Sequence, residues 1–223
     1  MINKIKVAVF GSTGYAGQEL IRLLHFHPNV EISLLISNSK AGEKYSDIYS
    51  NFYKCLDLEC SAKNLEEVAK EDIDVIFLAV PHGVSHSLIT EEILSSTKII
   101  DLSGDFRINS KEIYEDWYNI KHNSGDLLEK SIYGLCEIHR EEIKKSNFVA
   151  NPGCFPTVSI LALAPLIKNK VIDLNSIVID AKSGVSGAGR SASLGTHFNE
   201  VNESIKPYKV ATHKHTIEIE QEL

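Results

Sequence analysis

Cysteine is scarce in this chain, and the spacing of the few cysteines excludes two classes of protein. The 223 residues include four cysteines, which are widely spaced and form no C-x-x-C pair. Neither a zinc site nor a disulfide framework is predicted, and we expect reduced thiols and no metal. We interpret Cys55, Cys60 and Cys136 as small buried hydrophobic residues.

Long apolar runs and an excess of positive charge are also missing. No apolar run approaches the roughly 18 residues that span a bilayer, and the N-terminal residues begin a folding pattern rather than a signal peptide. The net charge of -7 offers no basic face for nucleic acid. We therefore expect a cytoplasmic protein with a small-molecule substrate and no nucleic acid or membrane partner. As a separate expectation, the chain assembles as a homo-oligomer.

The first part of the chain alternates short β-rich runs with helical patterns, and 43% of the whole chain is hydrophobic. Strands are predicted at 5–10, 30–37, 74–81 and 98–104, and helices at 14–27 and 84–96. Near-continuous apolar strands separated by helices are typical of a parallel sheet covered on both faces. We predict an α/β fold in which residues 1–150 form a Rossmann-like, doubly wound nucleotide-binding domain.

In residues 151–223 the predicted strands and helices follow a different pattern. We expect these residues to form an α+β catalytic domain. The run NFVANPG predicts a strand, and 157–170 predicts a buried helix. A strand that leads into a glycine-rich loop is predicted at 176–190, and another strand at about 207–213. A helix begins near EIEQEL without a cap or a following element, so we expect this second domain to be incomplete.

A glycine-rich turn follows the first strand. Gly11, Gly14 and Gly17 have GxxGxxG spacing and open the first helix. Side chains at these positions would block a pyrophosphate from the helix N-terminus, where free N–H groups attract negative charge. The turn predicts dinucleotide binding, with a purely structural turn as the alternative.

The end of the second strand indicates which dinucleotide is bound. An NAD site usually has an acidic residue there for the ribose 2′-hydroxyl. This chain has Ser37, Asn38, Ser39 and Lys40, with no acid before Glu43. Hydroxyls, an amide and a cation suit a 2′-phosphate, which favours NADP, although a solvated polar turn would have the same composition.

Cys154 lies in the run NPGCFPT, between a predicted strand and a predicted helix. Pro156 suits the first helical turn, and Gly153 permits a tight approach to it. The partial positive charge of a helix N-terminus favours a thiolate, which is the nucleophilic form of cysteine. We interpret Cys154 as a reactive thiol, with a buried structural cysteine as the alternative.

A nucleophilic cysteine generally needs an acid/base partner nearby. In the run THKHT, His213 and His215 alternate at the end of a predicted strand, so their side chains should leave the same face. One would act on the thiol or substrate and the other would orient it. Position alone does not choose between them, and two surface histidines are the alternative.

Several motifs, in their order along the chain, resemble those of the N-acetyl-γ-glutamyl-phosphate reductases, which are relatives of aspartate-semialdehyde dehydrogenase. They are GSTGYAGQEL, AVPHGVS, DLSGDFR, YGLCE, NPGCFPT, DAKSGVSGAGR and HKHTIEIEQ. The resemblance implies NADPH-dependent reduction of N-acetylglutamyl 5-phosphate to the 5-semialdehyde in arginine biosynthesis. It also implies a thioester on Cys154, with His215 as the acid/base and His213 beside it.

The resemblance also implies binding residues. The cofactor set comprises Gly11, Ser12, Thr13, Gly14, Ala16, Ser39, Lys40, Pro81, His82, Ser186 and Gly187. Arg107 and Arg190 are candidates for the substrate carboxylate or phosphate, because a guanidinium matches both groups; surface arginines are the alternative.

Two other functions remain open at this point. Another acyl-phosphate reductase, similar to aspartate-semialdehyde dehydrogenase, would share the chemistry but use an unacetylated amino acid. A non-catalytic chain that only binds NADP is the second alternative, and it follows from the abrupt end of the last helix pattern.

Overall fold

A computed structural model describes residues 3–223, in which one seven-stranded sheet organises the first 150 residues. All strand pairs in this sheet are parallel, and the strand order is β3-β2-β1-β4-β5-β7-β6. The strands are β1 (Ile5–Phe10), β2 (Val30–Ile36), β3 (Cys60–Ser61), β4 (Val75–Leu78), β5 (Lys98–Asp101), β6 (Ile132–Tyr133) and β7 (Phe148–Ala150). This order confirms the Rossmann-like, doubly wound sheet.

Helices connect the strands and continue beyond the sheet. They are α1 (Tyr15–His25), α2 (Tyr45–Ile48), α3 (Leu65–Ala69), α4 (Ser85–Leu88), α5 (Glu91–Ser96), α6 (Lys111–Tyr118), α7 (Cys136–Lys145), α8 (Cys154–Lys168), α9 (Phe198–Val201) and α10 (His215–Glu222). Within residues 3–223, no helix is long and apolar enough to cross a membrane.

The sheet buries both of its faces. Ala8 and Phe10 of β1 belong to one hydrophobic cluster, whereas Val9 between them belongs to another, together with Ile21 of α1. Because successive strand side chains point to opposite faces, this alternation requires helices on both sides. The apolar runs of the sequence predicted this arrangement.

Both strands predicted after residue 170 are absent from the structure. Residues 176–190 and 207–213 contain short turns and irregular segments, and Val178 is 89% exposed. A strand is stable only where a neighbouring strand accepts and donates its backbone hydrogen bonds. The seven-stranded sheet is completed by residues 5–150, so these apolar runs have no strand beside them.

Three smaller predictions also need correction. The helix predicted at 84–96 is two helices, α4 and α5, which are separated at Ile89 and Thr90, the latter being the N-cap of α5. Helix α8 begins at Cys154 and is exposed on one side, at Val158 and elsewhere, rather than buried throughout. Of the three cysteines interpreted as buried, only Cys60 is buried in the structure. Cys55 lies in a loop and Cys136 at the start of α7, and both are exposed.

Candidate active site

The glycine turn between β1 and α1 is closely packed against its neighbours. Gly11 has a φ of +68°, and a Cβ atom on it would lie 2.1 Å from the carbonyl oxygen of Ala79. A Cβ on Gly17 would lie 2.2 Å from the Gly11 oxygen. Only glycine tolerates this backbone and this close helix–strand approach. Gly14 is the N-cap of α1, and within the described chain no side chain caps this N-terminus, so its N–H groups suit a pyrophosphate.

Several hydroxyl groups lie where the glycine turn meets the end of β2. Thr13 Oγ1 lies 2.7 Å from Ser37 Oγ, which lies 3.5 Å from Ser39 Oγ. Ser12 is buried, and its hydroxyl donates to the Ile36 carbonyl. These contacts join the turn to the polar strand end that the sequence predicted to face the adenosine ribose.

Lys40 and two tyrosines complete the surroundings of the turn. The Lys40 ammonium is 3.0 Å from the Glu43 carboxylate, so its charge is partly balanced at the surface. Tyr45 donates to the Ser12 carbonyl and Tyr49 to the Thr13 carbonyl. No local pattern indicated either tyrosine, because only the tertiary fold brings α2 and the chain after it against the turn.

A buried carboxylate network supports the loop after β4. Ser85 Oγ lies 2.8 Å from Asp101 Oδ2 and 2.9 Å from Asp105 Oδ2, so one hydroxyl bridges two carboxyl groups. Burial raises the pKa of Asp101 to about 6. Burial alone would also raise the pKa of Asp105, but hydrogen bonds from Gly83, Tyr114 and Ser85 lower it.

This network brings His82 to the carboxyl edge of the sheet, as predicted. His82 Nδ1 accepts a hydrogen bond of 2.7 Å from the Gly104 N–H, and both His82 and Pro81 remain exposed. Ala16 is exposed in the first turn of α1, whereas Ser186 and Gly187 lie in an exposed turn after residue 184. The assignment of these five residues to the cofactor stays a prediction.

Cys154 is the first residue of α8 and is exposed. The helix starts there because Gly153 has an extended N-cap conformation and Pro156 occupies the first turn. The hydroxyl of Thr157 donates to the Gly153 carbonyl and tightens this turn. Cys154 is therefore accessible at a helix N-terminus, as the sequence predicted, rather than a buried structural cysteine.

Glu218 of α10 holds the backbone next to the cysteine. Its Oε1 atom accepts hydrogen bonds of 2.7 Å from both the Gly153 N–H and the Tyr133 hydroxyl. Its Oε2 atom is 3.6 Å from the Arg107 guanidinium, and both side chains are buried. Glu218 was not among the predicted site residues; the available signal was an acid between Ile217 and Ile219, one helical turn after His215.

The start of α10, rather than the predicted strand, brings His213 and His215 to the cysteine turn. This turn comprises Gly153 and the first residues of α8, from Cys154 to Thr157. Their rings are 4.7 Å apart, and the His215 N–H donates to His213 Nδ1. A Cβ on Gly153 would lie 2.4 Å from His215 Nε2, so this ring covers the residue before Cys154. The Phe155 ring contacts both imidazoles edge-on.

The environment of His215 favours its neutral form. Burial, followed by the positive charges of Arg107 and His213, lowers the pKa of His215 to about 3. Its Nδ1 atom is buried and has no hydrogen-bond partner among the described residues. At neutral pH this imidazole is therefore uncharged, and its low pKa makes it a weak base beside the Cys154 turn.

We expect His215 to make the folded chain less stable in acid. An unfolded histidine titrates near 6.5, whereas folded His215 titrates at about 3, so the unfolded state binds the proton more readily. The stabilisation by the neutral ring is fully present above pH 6.5 and is lost as the pH falls toward 3. The free energy of unfolding, measured with urea, should fall less between about pH 7 and about pH 4.5 for His215→Gln than for the wild type. Equal losses would contradict this pKa shift.

The two predicted substrate arginines lie at different places. Arg107 is buried, and it donates to the carbonyls of Asn151 and Leu102, at 2.7 and 2.8 Å, besides pairing with Glu218. These contacts make Arg107 a brace under the cysteine turn. Arg190 is exposed and contacts the glycine turn instead. Neither contact set tests a role in substrate binding, which stays a prediction.

The structure therefore brings together two groups of predicted residues. The glycine turn and the end of β2 form one group, and Cys154, His213, His215 and Arg107 form the other. Metal ligation was not predicted, and among residues 3–223 no group of three histidine, cysteine or carboxylate side chains has the geometry for a metal ion.

The doubly wound sheet and its glycine turn place the chain in the class of dinucleotide-binding α/β proteins. Residues 6–146 match the family described as semialdehyde dehydrogenase, NAD binding domain. Residues 154–223 match the semialdehyde dehydrogenase dimerisation domain. The chain belongs to the semialdehyde dehydrogenase family.

Curated relatives give a narrower likeness. The chain is 53% identical over 218 residues to the N-acetyl-gamma-glutamyl-phosphate reductase of Lachnoclostridium phytofermentans, which covers 98% of this chain. It is 54% identical over 220 residues to the enzyme of the same name from Campylobacter jejuni, which covers 99% of this chain. The chain spans 63% of the length of each relative.

Solved structures support the fold. The aspartate semialdehyde dehydrogenase II of Vibrio cholerae superposes with a TM-score of 0.51 at 18% sequence identity. The superposition covers 75% of this chain and 43% of the other. At this identity the likeness shows a shared fold.

Proposed function

We propose that this chain catalyses the NADPH-dependent reduction of N-acetylglutamyl 5-phosphate to N-acetylglutamate 5-semialdehyde, with release of phosphate. The observation that carries the proposal is the position of Cys154, exposed at the start of α8, beside the neutral His215 ring. Relatives of this name match nearly the whole chain at about half identity, which supports the same substrate class.

The chain's own residues supply the covalent steps. The anionic acyl phosphate, placed beside His215, raises the pKa of this imidazole, which then accepts the thiol proton as Cys154 attacks the acyl carbonyl and expels phosphate, leaving a thioester. The bound dinucleotide supplies a hydride when it is present. Hydride addition to the thioester carbonyl gives a thiohemiacetal oxyanion on Cys154, which collapses to the aldehyde and releases the thiolate, and His215 returns its proton to Cys154. The positive helix N-terminus stabilises the anions that develop in both steps.

Several contacts support NADP as the dinucleotide. The N-terminus of α1 and the packed glycines form a cradle that fits a pyrophosphate. Ser37 and Ser39 lie beside Thr13 at the end of β2, and the position that would carry an acid in an NAD site is a hydroxyl. Lys40 adds a cation next to them.

The reverse reaction tests the substrate class. The chain should reduce NADP in the presence of phosphate and N-acetylglutamate 5-semialdehyde, with a kcat/KM about 100-fold above that for aspartate 4-semialdehyde. A preference for the aspartate compound would support the other acyl-phosphate reductase. Tight NADPH binding without turnover of either aldehyde would support a non-catalytic role and contradict the proposal.

We further propose that copies of this chain associate into a homo-oligomer in the cytoplasm. The match of residues 154–223 to a dimerisation domain supports association.

A further inference from the structure

Arg190 is an exposed arginine that reaches the glycine turn from the far part of the chain. It follows Gly189, whose φ of +85° turns the backbone. Its Nη1 atom donates to the Thr13 carbonyl at 3.0 Å and to the Tyr49 hydroxyl at 2.7 Å. The guanidinium also lies 5.6 Å from the centre of the Tyr49 ring. Three contacts therefore hold this side chain at the turn.

These contacts are on the side of the turn that faces the end of β2. Thr13, which accepts from Arg190 through its carbonyl, also contacts Ser37 through its hydroxyl. Ser37 comes directly after β2 and is followed by Ser39. In doubly wound folds this strand end lies next to the adenosine ribose, where an arginine accommodates a 2′-phosphate.

The charge of Arg190 is not balanced by the protein. Among residues 3–223, its guanidinium hydrogen-bonds only to neutral acceptors, and these use Nη1 alone. The Nε and Nη2 donors remain for another partner. Lys40 differs, because Glu43 is within ion-pair distance of its ammonium. Arg190 is thus the more available cation at this end of the site.

We propose that Arg190 binds the 2′-phosphate of the dinucleotide and contributes to the choice of NADP over NAD. This inference rests on the proposed function, because it requires the dinucleotide to occupy the glycine turn. A phosphate monoester presents several oxygens to the planar donors of a guanidinium, and the 2′-hydroxyl of NAD presents no charge. The assignment differs from the substrate role predicted for Arg190, because its guanidinium contacts Thr13 and Tyr49 at the glycine turn.

Binding of two nicotinamide-free nucleotides to the chain tests the assignment. Calorimetry should show that adenosine 2′,5′-bisphosphate binds more tightly than AMP, and that Arg190→Ala reduces this ratio about tenfold. Arg190→Lys should keep part of the ratio, because an ammonium retains the charge but not the fork. Arg140→Ala, which removes an exposed arginine of α7, is the matched control and should bind both nucleotides as the wild type does.

Three results would overturn the assignment. An unchanged ratio in Arg190→Ala would exclude the 2′-phosphate contact. An unchanged ratio accompanied by a raised KM for the acyl phosphate would return Arg190 to the substrate. A wild-type chain that binds neither nucleotide would contradict the dinucleotide site of the proposed function as well, and this result is distinguishable from the other two.

Discussion

Replacing Cys154 with serine should lower the rate of acyl-phosphate reduction by about 10⁴-fold or more, an effect typical of removing the nucleophile from a covalent mechanism. A serine hydroxyl at the start of α8 would be far less ionised than a thiol, and neutral His215 alone would not compensate. NADPH binding should remain near the wild-type level, because the glycine turn is a separate part of the site. Steady-state kinetics and a nucleotide titration on the same preparation check both expectations.

Two other exposed cysteines provide matched controls for this substitution. Cys55→Ser and Cys136→Ser should retain wild-type turnover, since neither residue lies at the N-terminus of α8. Phosphate-dependent oxidation of the semialdehyde by Cys154→Ser at a rate near that of the wild type would contradict the thioester route. Loss of both NADPH binding and turnover in Cys154→Ser would indicate a structural effect instead.

Glu218→Ala should destabilise the folded chain by about 3–5 kcal/mol, the range for removing one partner of a buried ion pair. Arg107 would keep a buried charge without its carboxylate, and the Gly153 N–H and Tyr133 hydroxyl would lose their acceptor. Glu218→Gln should cost less, because an amide oxygen can still accept from both donors. Urea unfolding at constant pH measures the free energy of unfolding of each variant.

Glu220 offers the control for this comparison, because it is exposed on the same helix. Glu220→Ala should change the free energy of unfolding by no more than about 0.5 kcal/mol. A similarly small change for Glu218→Ala would show that the buried pair and its hydrogen bonds do not hold α10 against the cysteine turn. Positions of His213 and His215 would then depend on other contacts, such as the packing of Ile217.

Local patterns in the sequence predicted the four longer strands in the first half of the molecule. The strand predicted at 5–10 is β1 residue for residue, and the strands predicted from 30, 74 and 98 begin within a residue of their observed starts. The strands predicted to end at 81 and 104 end earlier, at Leu78 and Asp101. These runs are apolar because both faces of a parallel sheet are buried, so their pattern is visible without a structure. The short strands β3 and β6 were missed, since two residues carry too little pattern.

Patterns failed where stability depends on a partner distant in sequence. The start of 176–190 and the run at 207–213 were predicted as strands, but no strand lies beside them in the described chain, and they stay irregular. The two histidines were predicted to share a face through the strand period of two residues. They are neighbours instead because the chain turns into α10, where His215 is the first helical residue.

The sequence by itself determined the Rossmann-like sheet, the glycine turn and the identity of the candidate nucleophile, because each depends on residues close together in the chain. Tertiary structure alone decided which side chains surround them. Glu218 reaches Gly153 across 65 residues, and Arg190 reaches Thr13 across 177. Contacts over such separations are set by how α10 and the glycine-rich loop pack on the sheet, and no local spacing encodes that packing.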